Sequence, residues 1–174
     1  METDEALCAR AQKGDTAAFD RLYARYEHRL FGFIMRLLND RGAAEEVFHD
    51  TFLKVLDGAP TFDGPPRFSA WLFRVARNHC ANHHRSRTRG ADALRRLGSS
   101  EEVSVTPEDR LGEHERATAL HRELARLPET LTEVFHLRTS GLSYEEIAGV
   151  LEVPIGTVKS RMNALVTQLR GALS

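Results

Sequence analysis

The 174-residue chain is predicted to be all-α, with two small helical domains joined by a flexible linker. Three observations point there. Apolar residues recur by threes and fours over long stretches, and nothing alternates with the period of a strand. A run of Gly, Ser, Pro and acidic residues then interrupts the pattern from about Gly90 to Glu113. The apolar fraction of 41% and charged fraction of 28% are those of a globular chain that buries a modest core.

Taken in order, a short amphipathic helix is expected from about Asp4 to Gln12, stopped near Gly14. Asp15 or Thr16 can cap a long helix to about Leu38, with Phe19, Leu22, Tyr23, Tyr26, Leu30, Phe33, Ile34 and Leu37 on its apolar face. Asn39, Asp40 and Gly42 break it. The next helix, about Ala43 to Leu56, turns Ala44, Val47, Phe48, Thr51, Phe52 and Val55 inward and Glu45, Glu46, His49, Asp50 and Lys54 outward. A Gly- and Pro-rich loop through Pro66 follows. A third long helix starts near Arg67, and Phe68, Trp71, Leu72, Val75, Ala76 and His79 predict its buried stripe. Arg74, Arg77, Asn78, Asn82 and Arg85 fall mainly off that stripe. The expected division is therefore a domain over 1–89, a linker over 90–113 with helical fragments at 91–97, and a second domain over 114–174.

The second domain carries the most specific local pattern. Ser143 and Glu146 are spaced as a capping box, and Ile147, Ala148 and Leu151 form an apolar face behind it. Glu152-Val153 is a short break, and Pro154 suits the first position of a further helix. Val158, Met162, Leu165 and Leu169 continue at helical spacing, while Thr157, Lys159, Ser160, Arg161 and Asn163 lie opposite. Two helices meeting at such a turn make a helix-turn-helix, whose second helix can enter a major groove.

Charge is uneven. The net charge is −1, yet residues 67–96 carry 8 Lys/Arg against 1 Asp/Glu, a local +7. Residues 1–66 are −4, 97–133 are −5 and 134–174 are +1. A basic block suits a polyanion, and overall neutrality implies weak binding to DNA without a partner. Cys8 and Cys80 are the only cysteines, so a reducing cytoplasm is expected; no signal peptide or membrane-length apolar run is seen. No cofactor or resident metal is expected. The chain lacks a phosphate loop, a nucleophile elbow and HExxH, so an enzyme is not expected. His79, Cys80, His83 and His84 have spacings that can chelate, which keeps a metal- or redox-sensing cluster as an alternative.

Both domains together resemble the extracytoplasmic-function (ECF, group IV) sigma factors of bacterial RNA polymerase. FDRLYARYEHRLFGFIMRLL and AEEVFHDTFLKVL look like the core helices of the promoter-melting domain. FDGPPRFSAWLFRVARNHCANHHRSRTR is similar to the segment that recognises and opens the minus-ten element. LPETLTEVFHLRTSGLSYEEIAGVLEVPIGTVKSRMNALVTQL looks like the minus-thirty-five domain.

The resemblance implies an alternative sigma factor that binds core polymerase, reads the minus-thirty-five element and opens the minus-ten element. It places core-polymerase binding on Glu45, Glu46, His49, Asp50 and Lys54. Minus-ten recognition falls to the Gly58–Pro66 loop with Arg74, Arg77, Asn78, Asn82 and Arg85, and minus-thirty-five recognition to Thr157, Lys159, Ser160, Arg161 and Asn163. It implies promoter DNA, core polymerase and an anti-sigma factor as partners, with no membrane insertion. The chain departs from the family's pattern at Glu152, where a small residue, often Gly, is usual. It departs also in a shorter Arg138–Gly141 turn, in His49 for the usual Gln, and in a last helix poor in basic residues. The free chain is expected to be compact, with its acidic linker beside its basic segment. A stand-alone helix-turn-helix regulator is the remaining alternative.

Overall fold

The computed structural model describes residues 1–58, 68–96 and 122–173, and the ordered elements among them are helices. Helix α1 (Asp4–Ala11) starts where the Thr3 hydroxyl accepts from the Ala6 amide. It buries Leu7, Cys8 and Ala11. Helix α2 (Thr16–Leu38) is capped by the Asp15 carboxylate, which accepts from the Ala18 amide at 3.1 Å, and closes on Asn39 in the left-handed region. Asp40 then accepts from the Ala43 amide at 3.0 Å inside the first turn of α3 (Arg41–Gly58). Short polar residues thus end one helix and begin the next with almost no loop.

Helix α4 (Phe68–Arg96) runs the length of the first domain and past residue 89, where the linker was expected to begin. The helical fragment expected at 91–97 is its last turns as far as Arg96; the rest of the expected linker, 97–113, and the first residues of the expected second domain, 114–121, lie outside the described residues. Its buried stripe also differs from the expected one. Phe68, Ala70, Leu72, Phe73, Ala76 and Cys80 are buried, whereas Trp71, Val75 and His79 are half-buried. The helix packs on α2 and α3 and also against the second domain, so its covered arc is wider than one amphipathic stripe and is centred elsewhere.

The second domain is described from a helical stretch at 122–126 onward. Helix α5 (Glu129–Thr139) ends in a tight turn through Gly141, at φ 84. The Arg138 guanidinium pins that turn by donating to the Leu142 carbonyl at 2.7 Å. In helix α6 (Tyr144–Leu151) the capping box is complete: the Ser143 hydroxyl accepts from the Glu146 amide, and the Glu146 carboxylate accepts from the Ser143 amide. Helix α7 (Ile155–Leu173) starts one residue after Pro154, whose carbonyl accepts from the Thr157 amide at 2.9 Å. The expected stripe splits by depth, Val158 and Leu165 being buried and Met162 and Leu169 half-buried.

The two domains share one apolar core. Leu30, Phe33 and Phe73 of the first belong to the same buried cluster as Leu137, Leu142, Ile147 and Val150 of the second. The principal seam is α6 against α4, extended by α5 against α2.

Candidate nucleic-acid interface

Arg74, Arg77, Asn78, Asn82 and Arg85 recur at offsets of three and four along α4 and therefore share one face. Asn78, Asn82 and Arg85 are exposed. Arg74 and Arg77 are half-buried, because the second domain lies over that end of the stripe. Arg74 Nη1 is 3.1 Å from Glu152 Oε1, and Arg77 Nε donates to Glu133. The Glu133 carboxylate holds the Arg77 guanidinium above its ordinary range, so it stays cationic. The Gly58–Pro66 loop is described only at Gly58, where φ is 122; residues 59–66 lie outside the described residues.

On α7, Lys159, Ser160 and Asn163 are exposed and Thr157 and Arg161 half-buried, on the side away from Val158 and Leu165. Ser160 Oγ donates to the Thr157 carbonyl at 2.9 Å, which holds that hydroxyl close to the helix. This face offers cationic, hydroxyl and amide groups on a rigid rod, the chemistry that reads base edges and phosphates.

On α3, Glu45, Glu46, His49, Asp50 and Lys54 are all exposed, Glu45 pairing with Arg41 at 2.9 Å and Lys54 with Asp57 at 3.6 Å. Beside them lies a hollow of about 200 Å³ lined by Phe19, Tyr23, Glu45, Phe48, His49, Phe52 and Leu53. Tyr23 and Phe48 were expected to face inward; instead Tyr23 is exposed and Phe48 half-buried at this rim. Tyr23 with Phe48 and Phe19 with Phe52 form aromatic edge-to-face pairs in its lining.

The groups that bridge the domains escaped the sequence reading. Arg29 Nε donates to the Ser140 carbonyl at 2.8 Å and Nη2 to that of Gly141 at 3.3 Å. Arg36 donates to the Ser140 hydroxyl at 2.6 Å. Ser69 donates its hydroxyl to Glu146, so the capping-box carboxylate serves both its own helix start and α4.

Among the described residues no group of three or more His, Cys, Asp or Glu side chains is placed to hold a metal ion. Burial pushes the Cys80 thiol up to about 12, so the nucleophilic thiolate is scarce at neutral pH. The His84 Nε2–H donates to the Leu37 carbonyl at 3.1 Å, engaging that nitrogen within the fold.

Residues 22–90 match the family model for Sigma-70 region 2, and residues 117–166 that for Sigma-70 region 4. The RNA polymerase sigma-H factor of Pseudomonas aeruginosa is 34% identical, the alignment covering 93% of this chain and 89% of that one. The ECF RNA polymerase sigma-E factor of Escherichia coli K12 is likewise 34% identical, over 92% of this chain and 88% of its own. The chain belongs to the ECF sigma factors.

It is an alternative sigma factor that directs transcription initiation. Members of this family are in general regulators without catalytic chemistry of their own. Among the described residues no helix is long and apolar enough to cross a membrane. The sigma fold extends to solved structures. CnrH in complex with the cytosolic domain of CnrY superposes with a TM-score of 0.72 at 25% identity, covering 99% of this chain and 97% of that one. RpoE in complex with the anti-sigma factor NepR from Bartonella quintana gives 0.66 at 26% identity, covering 89% and 96%.

Proposed function

We propose that this sigma factor divides its work among three helices. The exposed face of α3, Glu45, Glu46, His49, Asp50 and Lys54, docks on core polymerase. The stripe Arg74, Arg77, Asn78, Asn82 and Arg85 on α4 takes the unpaired minus-ten strand. Thr157, Lys159, Ser160, Arg161 and Asn163 on α7 read the minus-thirty-five duplex. The observation that carries this is the alignment of two arginines, two asparagines and a further arginine along one helix face, inside the stretch that matches region 2. An extruded base needs groups that donate and accept together, and asparagine offers both; arginine neutralises the single-strand backbone.

The domain division of 1–89, 90–113 and 114–174 fits this scheme. Elements two helical turns apart are ~70 Å apart. With residues 90–96 in α4, the 17 linker residues beyond it, 97–113, could reach ~56 Å at most, and the domains themselves span the rest. The protein acts in the cytoplasm, with core polymerase, and is not an enzyme. The chain superposes on a sigma factor solved with the anti-sigma factor NepR, which supports an anti-sigma factor as its regulator.

The test is transcription by purified core polymerase on fragmented host DNA, with and without the protein. Discrete new start sites sharing two upstream elements are the expected result. DNA binding indifferent to polymerase, with no added initiation, would instead make it a stand-alone regulator.

A further inference from the structure

Helix α1 precedes residues 22–90, the stretch that matches region 2, yet its side chains hold two helix ends inside that stretch. Glu5 Oε1 accepts from the Phe68 amide, at the start of α4, at 3.2 Å. Gln12 Nε2 donates to the Val55 carbonyl, in the last turn of α3, also at 3.2 Å. The chemistry is matched to the ends. A helix start leaves amides without an acceptor inside the helix, and a helix end leaves carbonyls without a donor. Val55 and Phe68 are 0% and 1% exposed, so protein groups rather than bulk water must serve them. One acceptor and one donor therefore reach out from α1, across 63 and 43 residues of sequence, each to the kind of group that its target end leaves over.

Glu5 and Gln12 lie close to two helical turns apart, so their side chains leave the same face of α1 about 10.5 Å apart along its axis. Gln12 keeps helical angles as the C-cap, φ −63 and ψ −22, and its Nε2 also meets Cys8 Sγ on that face at 3.6 Å. Other groups attach α1 to α2. Asp4 pairs with Arg25 and accepts from the Tyr26 hydroxyl, and Arg25 donates to the Glu2 carbonyl at 3.1 Å. Leu7, Cys8 and Ala11 are buried beneath. With α1 fixed in this way, Glu5 and Gln12 are left to set where the ends of α4 and α3 stand.

In the reading above, on which this inference rests, α3 docks on polymerase and α4 takes the unpaired strand. We propose that α1 is a brace between them, with Glu5 and Gln12 as positioning residues that set the strand-capturing helix relative to the docking helix. Both act through the helix ends and not by contact with DNA. Residues 59–67, which join the two braced ends, lie outside the described residues and form no part of the brace.

The test compares the full-length parent with E5A, E5Q, Q12A and Q12E. E5Q keeps an oxygen that can accept from the Phe68 amide, whereas Q12E keeps the shape but sets an acceptor against the Val55 carbonyl. With core polymerase, three quantities are read: polymerase affinity, holoenzyme binding to a minus-thirty-five duplex, and promoter opening followed by 2-aminopurine fluorescence at the minus-ten element. Expected is opening lowered about threefold to tenfold by E5A and Q12E, the range of one lost cap, with Q12A in between and the other two quantities within twofold of the parent. E5Q should keep more than half of the parent's opening. In the free chain, hydrogen exchange in the first turn of α4 should quicken in E5A. Unchanged exchange, opening within twofold of the parent in both E5A and Q12E, or E5Q as defective as E5A would each overturn the brace. So would equal losses in all three quantities that follow the folded fraction, since these mark a merely structural role. The near-isosteric E5Q and Q12E keep the comparison decisive if E5A folds poorly. A parent that fails to initiate with polymerase would sink the sigma reading itself, a result distinct from a parent that initiates and variants that match it.

Discussion

The two helices assigned to DNA, α4 and α7, are built alike and presented differently. Each buries an apolar arc and offers Arg, Asn and hydroxyl or cationic groups elsewhere. On α7 Lys159, Ser160 and Asn163 face outward, whereas on α4 Arg74 and Arg77 are engaged by carboxylates of the other domain. The difference teaches that a polar stripe is a capacity, and that domain packing decides when the capacity is available. The polar face of α7 is open in this arrangement, whereas the Phe68 end of the α4 stripe is covered.

The largest way to break the comparison is to remove the platform beneath α4. Phe73 is fully buried, stacks near Phe33 with ring centroids 5.3 Å apart, and has the Arg29 guanidinium over its ring. Phe73→Ala should lower stability by about 3–5 kcal/mol, read by thermal or urea denaturation. A loss under 1 kcal/mol would mean that α4 is held mainly by its other contacts.

Next in size is the open helix itself. Arg161→Ala should cost ~1–3 kcal/mol at the minus-thirty-five element if its guanidinium reads a base, measured as promoter-specific initiation. An equal loss on every sequence would make it a phosphate contact. The comparison on α4 is Asn78→Ala or Asn82→Ala, which should impair promoter opening more than polymerase binding; a defect confined to polymerase binding would contradict their place on the stripe.

A smaller effect is expected from the capping box. Ser143→Ala removes the acceptor of the Glu146 amide and should cost about 1 kcal/mol, seen in the melting temperature. Glu146→Ala should cost more than Ser143→Ala, since it also strands the Ser69 hydroxyl at the seam. Equal losses would show the seam contact to be energetically silent. The smallest change in stability is expected from Glu152→Gly. Relief of roughly 1–2 kcal/mol of left-handed strain is offset by about 0.5–1 kcal/mol of added chain entropy in the unfolded state. The melting temperature should therefore rise slightly, and a clear fall would show that the Arg74 pair outweighs the strain.

Much of this protein was legible without coordinates. Helix periodicity located the helices to within a few residues, the far end of α4 excepted, because each helix repeats its own burial pattern every turn. Ser143 and Glu146 announced a capping box, since it depends on two residues three apart; Glu152 carries no such local signal for its left-handed conformation, to which only the family's usual small residue pointed. The candidate DNA faces follow from the same local arithmetic. Where α4 would be covered was less legible: Phe73 and Cys80 are buried while Trp71 and Val75 are only half so, because two partners press on that helix and one amphipathic period describes only one. Gly90, read as the start of the linker, lies within α4, which continues to Arg96; a single glycine in a helix costs only about 1 kcal/mol and does not have to end it.

What the sequence determined by itself is thus the helices, their caps, and the polar faces that the family resemblance turned into sites. The tertiary structure decided which of those faces are in use within the chain. Arg77 meets Glu133 across 56 residues and Arg29 meets Ser140 across 111. Such pairs have no period and no fixed spacing; they exist only because two domains bury a common apolar core and bring distant charges to one seam.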